Sequence, residues 1–130
     1  DSVTVTNAGN AGICTTGTCS APGSATGLLY VTAAGGMSWT PAVGATGYDL
    51  VRGTVSTLHG SGFTTATDSC LANDVGATAF VDAHVPAVGD ADWFLVRYSN
   101  ACGVGSFDEG SPSEAGPRDA AIAASANACP

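Results

Sequence analysis

Two histidines and five cysteines are the residues of this chain whose side chains are best suited to catalysis or metal binding. Neither His59 nor His84 has an acid or a cysteine beside it at a metal-ligand interval, which favours exposed loop histidines over ligands. A Cys–His nucleophile pair needs a neighbouring base or a positive field, and this acidic chain supplies neither. No G-x-S-x-G nucleophile elbow occurs. The sequence therefore predicts no catalytic residue, no metal site and no cofactor.

The cysteines favour disulfides over zinc, because no C-x-x-C pair with zinc-ligand spacing is present. Their number is odd, so one thiol is expected to stay free or to bond with another chain. Together with a first residue that is Asp1 rather than Met, this favours a mature chain in an oxidising, extracellular or cell-surface location. Inert buried thiols in a reducing cell are the alternative.

The charge balance excludes one class of partner. Eleven acids face three arginines, with no lysine, for a formal net charge of −8. Nucleic-acid binding needs clustered Lys and Arg and is therefore not expected. Several acids crowd two neighbouring loops and offer oxygen ligands to calcium, but without EF-hand spacing we interpret them as a solvated rim: Asp90, Asp92, Asp108, Glu109 and Glu114. No apolar run approaches the length of a membrane span.

The elements that position these residues are predicted to be strands. Met37–Thr40 and Ala45–Gly53 alternate apolar and polar side chains on either side of a short turn. Similar segments recur at the spacing of a two-sheet sandwich: Leu28–Thr32, Gly36–Thr40, Gly47–Arg52, Thr78–Asp82, Trp93–Ser99 and Arg118–Ala124. The last of these is Ala-rich enough for a helix, but the break at Pro117 favours a strand.

Two segments lie outside this strand pattern. Thr54–Gly76 has no clear strand period, and it predicts an insertion in which a strand from Phe63 is followed by a helical turn. Asp1–Thr6 alternates like a short strand and runs into a segment rich in Gly and Asn. The sequence thus predicts an N-terminal arm, residues 1–21, with a small Cys loop, followed by one domain, residues 22–130.

Five segments resemble strands A, B, C, E and F of a fibronectin type III domain: Leu28–Thr32, Met37–Pro41, Gly47–Arg52, Phe80–Asp82 and Phe94–Gly103. The resemblance covers about Gly23–Ala124 and is closest to such modules in secreted proteins of environmental bacteria. It implies an all-β, immunoglobulin-like or fibronectin type III-like two-sheet sandwich, with the insertion between strands C and E. It also implies no catalytic residues, no cofactor, and a role in adhesion, spacing or assembly.

Strand F is predicted to have an unusually apolar outward face. Alternation points Phe94, Val96 and Tyr98 inward. It points four other residues outward, on strands C and F: Val51, Trp93, Leu95 and Arg97. Three uses of this row stay open, namely a cover formed by the insertion, an interface for another subunit or partner, and an aromatic platform for sugars.

The arm is a second candidate for partner binding. Val3 and Val5 lie on one face of an extended segment, and such a strand can complete an open sheet edge of a neighbouring chain. A disordered terminus, or a strand added to its own domain, is the alternative.

The predicted sandwich suggests a disulfide pattern. Cys14 is expected to pair with Cys19 across the small loop, and Cys70 with Cys102, because the end of strand F should lie near the return from the insertion. Cys129 falls at the opposite end of the sandwich and is expected to be unpaired or intermolecular.

The sequence as a whole favours a secreted, non-catalytic structural or adhesion module. We expect it to associate with itself, a filament being one form of that assembly, and it has no predicted nucleic-acid partner or membrane span. A glycan or another extracellular protein is a further candidate partner. The alternative function is a carbohydrate-binding or spacer domain of a secreted polysaccharide-active enzyme.

Overall fold

The chain folds into two antiparallel β-sheets in the computed structural model, which describes residues 21, 29–32, 34–109, 112, 114 and 117–130. The elements in chain order are β1 (Leu29–Val31), β2 (Gly36–Trp39), β3 (Gly47–Thr54), α1 (Val55–Ala66), β4 (Thr67–Val75), β5 (Ala79–Val81), β6 (Asp92–Asn100), β7 (Gly103–Val104) and α2 (Asp119–Ala123). One sheet has the strand order β1-β2-β5 and the other β4-β3-β6-β7. The predicted two-sheet, mostly β architecture is therefore present, with two short helices added.

The two sheets are joined by a hydrophobic interior, here called the inner core. Alternation along β2, β3 and β6 places every second side chain in it, as the sequence pattern predicts. Trp39 packs against Tyr48, and Tyr48 packs edge-on against Tyr98, with ring centroids 5.7 and 5.5 Å apart. The buried members are Met37, Trp39, Tyr48, Leu50, Ala72, Val96 and Tyr98. The predicted inward direction of Val96 and Tyr98 is confirmed.

The insertion has its elements in the opposite order from the prediction. A helix comes first and a strand second, since α1 runs directly out of β3 and β4 then pairs back along it. The helix is kinked at Gly62, whose φ of 72° is open to glycine at little cost. Pairing with β3 decides the state of the segment from Thr67 onward, and sequence pattern alone does not include that long-range contact.

The predicted last strand, Arg118–Ala124, is wrong, because the chain forms helix α2 there. Its alanines favour a helix, and the carboxylate of Asp119 in the first turn accepts a hydrogen bond from the Phe107 N–H at 2.7 Å. Ile122 is 1% exposed and faces the four-stranded sheet. The C-terminal segment therefore covers a sheet face and does not extend the sheet.

Candidate functional site

The outward row of β3 and β6 is covered. Val51 is fully buried and lies opposite Leu95 in the β3–β6 ladder. A second hydrophobic cluster, here called the outer cluster, closes over this face and consists of Val51, Phe107, Ile122 and Cys129, with Phe63, Cys70, Trp93 and Leu95 packed against them. Val51 is therefore buried, Trp93 and Leu95 are partly buried, and their partner-binding role stays a prediction.

Helix α1 supplies one part of this cover. Phe63 meets the Trp93 ring edge-on with centroids 5.1 Å apart. The Trp93 indole in turn lies over Gly53. A Cβ added to Gly53 would be 2.4 Å from the Cζ2 atom of Trp93. Cover by the insertion was one of the three open alternatives. The contribution of Phe107 and Ile122 was missed, and the Ala-rich, helix-forming run around Ile122 was the signal that could have indicated it.

Arg97, the polar member of the row, is engaged within the domain. Its Nε donates to Asp49 Oδ2 at 2.7 Å, and its guanidinium lies 4.9 Å from the centre of the Phe107 ring. Asp49 is fully buried and also accepts from the Asp74 N–H at 2.8 Å. Hydrogen bonds of this kind offset the cost of burying a polar carboxyl group. Arg97 therefore has a structural role here, and its partner-binding role stays a prediction.

The disulfide pattern also differs from the prediction. Cys70 bonds to Cys129, so the Cys70–Cys102 pair and the unpaired Cys129 are both wrong. The reason is the path of the C-terminal segment, which crosses the outer cluster and brings Cys129 to β4. Cys102 is disulfide-bonded as well. The predicted Cys14–Cys19 loop lies outside the described residues, as do Val3 and Val5 of the arm.

His84 and Arg52 pair with acids near the β5–β6 loop. His84 Nδ1 lies 2.9 Å from Asp92 Oδ2, and Arg52 Nη1 donates to Asp82 Oδ2 at 2.7 Å. Burial opposes the charge of Asp82, but hydrogen bonds from Arg52 and the His84 N–H outweigh it and lower the pKa of the Asp82 carboxyl. No group of three or more metal-ligating side chains lies together in the described part of the chain.

Asp90 ties the β5–β6 loop to helix α1. Its carboxylate accepts from the Ser56 hydroxyl and from the Ser56 N–H in the first turn of the helix. These bonds, with one from the Ala91 N–H, lower the pKa of Asp90. His59, by contrast, is exposed on α1. These groups therefore cap helix α1 and hold the β5–β6 loop against it.

The feature that distinguishes this sandwich is the side of β6 that faces away from β3, here called the β6 edge. Strand β7 is two residues long and pairs only with Ser99 and Asn100. Beyond the bond from the Gly105 N–H to the Tyr98 carbonyl, no described strand pairs with β6 on this side. Among the described residues, no strand pairs with the edge over most of its length.

Alternation identifies the unpaired groups. The Ala91 carbonyl accepts from Val55 on the β3 side, and the Tyr98 carbonyl accepts from Gly105 on the other side. Residues of β6 with even numbers thus point their N–H and C=O groups away from β3. Among the described residues, those of Phe94 and Val96 have no partner there. Val96 is only 6% exposed, and unpaired backbone groups in so buried a residue cost free energy.

The other sheet edges are less suited to pairing. β1 and β5 have three residues each. β4 is longer, but its register with β3 shifts at three places. A shallow, open groove on the three-stranded sheet is lined mainly by small side chains around Met37 and Phe80. Neither described helix has the length and apolar character needed to cross a membrane.

The N-terminal segment reaches the domain at one end of β6. The Ala21 Cβ lies 3.6 Å from the position that a Gly103 Cβ would occupy, in the β6–β7 turn. Comparison with known proteins adds no relative: no family model, no curated protein and no solved structure matches this chain.

Proposed function

We propose that this chain is a non-catalytic, extracellular structural module that associates with itself, the N-terminal arm of one copy adding a strand to a sheet of the next. The observation that carries this proposal is the unpaired β6 edge, because a sandwich with an incomplete sheet presents backbone donors and acceptors to an incoming strand. The sequence supplies such a strand in the alternating segment Ser2–Thr6.

The strand order supports a fibronectin type III-like fold. β1, β2 and β5 correspond in chain order to strands A, B and E of the resemblance, and they share one sheet. β3 and β6 correspond to C and F, which lie side by side in the other sheet, as in sandwiches of this kind. In such sandwiches a last strand, G, pairs along F, whereas here β7 is two residues long.

A head-to-tail contact of this type leads to a filament. The arm and the β6 edge are different surfaces, so each copy both gives and accepts a strand, and the contact does not close on itself unless a ring forms. The Cys70–Cys129 disulfide is compatible with an oxidising, extracellular location. The glycan-binding alternative relied on an outward Trp93, whose ring packs against Phe63, and no observation favours it.

The test is to change one face of the arm. In the full-length chain, Val3→Asp with Val5→Asp should weaken self-association about tenfold or more, because the charges would enter a hydrophobic site. Ser2→Asp with Thr4→Asp adds the same charge on the opposite face and is the matched control, expected to have a smaller effect. Sedimentation velocity across a concentration series, with electron microscopy, measures the outcome. A wild-type chain that stays monomeric at high concentration would rule the proposal out.

A further inference from the structure

We infer that Cys102 bonds to Cys19 and thereby ties the base of the N-terminal arm to the turn between β6 and β7. The chain has five cysteines, and two of them, Cys70 and Cys129, bond to each other. Cys102 is disulfide-bonded within the same single chain. Its partner is therefore one of the two cysteines that remain, Cys14 and Cys19.

The position of Ala21 decides between the two candidates. Its Cβ lies 3.6 Å from the place that a Cβ on Gly103 would occupy, so the chain passes beside the residue that follows Cys102. A disulfide brings two Cα atoms to about 4.4–6.8 Å, and two residues of chain span at most about 7 Å. Cys19, two residues before Ala21, is therefore held near Cys102. A bond to Cys14 would require the longer segment between it and Ala21 to fold back into a loop.

Cys102 is well placed to bond a segment that passes over the surface. It lies in the two-residue turn that joins β6 to β7, since Asn100 pairs with Gly103. The Asn100 side chain accepts a hydrogen bond from the Cys102 N–H at 2.8 Å, which holds the backbone of the turn. Cys102 is only partly buried and is not among the residues of the inner core or the outer cluster. The turn therefore presents a fixed cysteine at the end of the sheet where the N-terminal segment passes.

The bond gives the arm a fixed starting point. The strand-forming segment Ser2–Thr6 is then joined to the anchor at Cys19 by residues 7–18, which can span about 40 Å when extended. The whole of β6 measures about 30 Å, since it has nine residues. This linker reaches the β6 edge of its own domain or that of a neighbour, so the inference is independent of the proposed function. It also assigns Cys14 as the odd cysteine, in place of the predicted ring with Cys19.

Peptide mapping without reduction tests the assignment. Free thiols of the full-length chain are blocked with N-ethylmaleimide in denaturant, and the monomer band of a non-reducing gel is digested with trypsin. Because the chain has three arginines and no lysine, the digest places the arm cysteines, Cys70, Cys102 and Cys129 in four separate peptides, namely 1–52, 53–97, 98–118 and 119–130. Peptide 1–52 should be joined to 98–118, and 53–97 to 119–130. The single maleimide should be on Cys14, which fragmentation in the mass spectrometer locates.

The full-length Cys14→Ser variant is the matched control. It should keep the bond between peptides 1–52 and 98–118, while the thiols that react with maleimide fall from one per chain to none. A bond between Cys14 and Cys102 in the wild type, or loss of the link between the two peptides in the variant, would overturn Cys19 as the partner. An unlinked peptide 1–52 with a labelled Cys102 would overturn the anchor itself. These outcomes are read from single chains, so they do not depend on whether the protein assembles.

Discussion

The two edges of the four-stranded sheet differ in how readily a further strand could pair with them. β4, at one edge, shifts register against β3 at three places, and Asp74 near its end has a φ of 51°, which bends the backbone away from a regular strand. At the other edge, β6 pairs with β3 in a continuous register. Its outer neighbour, β7, has two residues and pairs with only one end of β6. The comparison indicates that the irregular β4 edge resists further pairing, whereas β6 is regular and, within the described residues, only partly paired on its outer side.

The largest expected loss of stability comes from removing the disulfide that links β4 to the C-terminal segment. Cys70→Ala with Cys129→Ala removes a crosslink across a sequence separation of 59 residues and should lower the free energy of unfolding by about 4 kcal/mol. Urea denaturation followed by fluorescence measures this loss. The bulges of β4 remain in this variant, so arm-dependent association should still use the β6 edge. A gain of pairing at β4, seen by amide exchange, would contradict the contrast drawn between the edges.

A smaller loss of stability is expected from adding a methyl group at Gly53, which lies opposite Trp93 of β6. Gly53→Ala places a Cβ 1.8 Å from the Ala66 carbonyl oxygen and 2.4 Å from the Trp93 ring, so α1 and the indole must shift, at about 2 kcal/mol. Gly60→Ala in α1 meets nothing within 4 Å and should be neutral or stabilising by about 0.5 kcal/mol. Thermal unfolding of both variants measures the difference. Equal stabilities would mean that Trp93 does not pack on Gly53.

The smallest expected effect is the pH dependence of the β5–β6 loop. The pKa values of Asp82 and Asp90 are lowered in the folded chain, so their stabilisation is present above the unfolded value of about 3.9 and is lost as pH falls through the folded values. For the Asp82–Arg52 pair the loss should be within about 1 kcal/mol. Urea denaturation between pH 7 and 3 measures it. Asp82→Asn should flatten the acid limb, and an unchanged pH dependence in that variant would exclude Asp82 as a source.

The strands that form the inner core could be predicted from sequence. β2, β3 and β6 follow the alternating segments closely, because one buried and one outward face impose a period of two. The outward direction of Trp93 and Leu95 was also correct, but their cover was only partly foreseen. That cover depends on Phe107, Ile122 and Cys129, which approach β6 through tertiary packing that no local pattern encodes.

The open β6 edge was missed for a related reason. The residues Arg118–Ala124 were predicted as a strand, which would have left a candidate to pair with β6. Burial of Ile122 and the helix propensity of the neighbouring alanines outweigh the strand tendency, so the segment lies on the sheet face. The disulfide prediction was wrong for the same reason, because the segment after α2 brings Cys129 to Cys70 in β4.

The Cys70–Cys129 disulfide has a consequence for resistance to proteases. It closes a covalent ring that contains β5, β6, β7 and α2. The β5–β6 loop lies inside this ring, and its Val85 and Val88 are largely exposed. A single cut in that loop would leave both pieces joined through sulfur, so under non-reducing conditions the nicked chain would still migrate as one molecule. A chain carrying this ring could be cleaved at the exposed β5–β6 loop and remain in one piece.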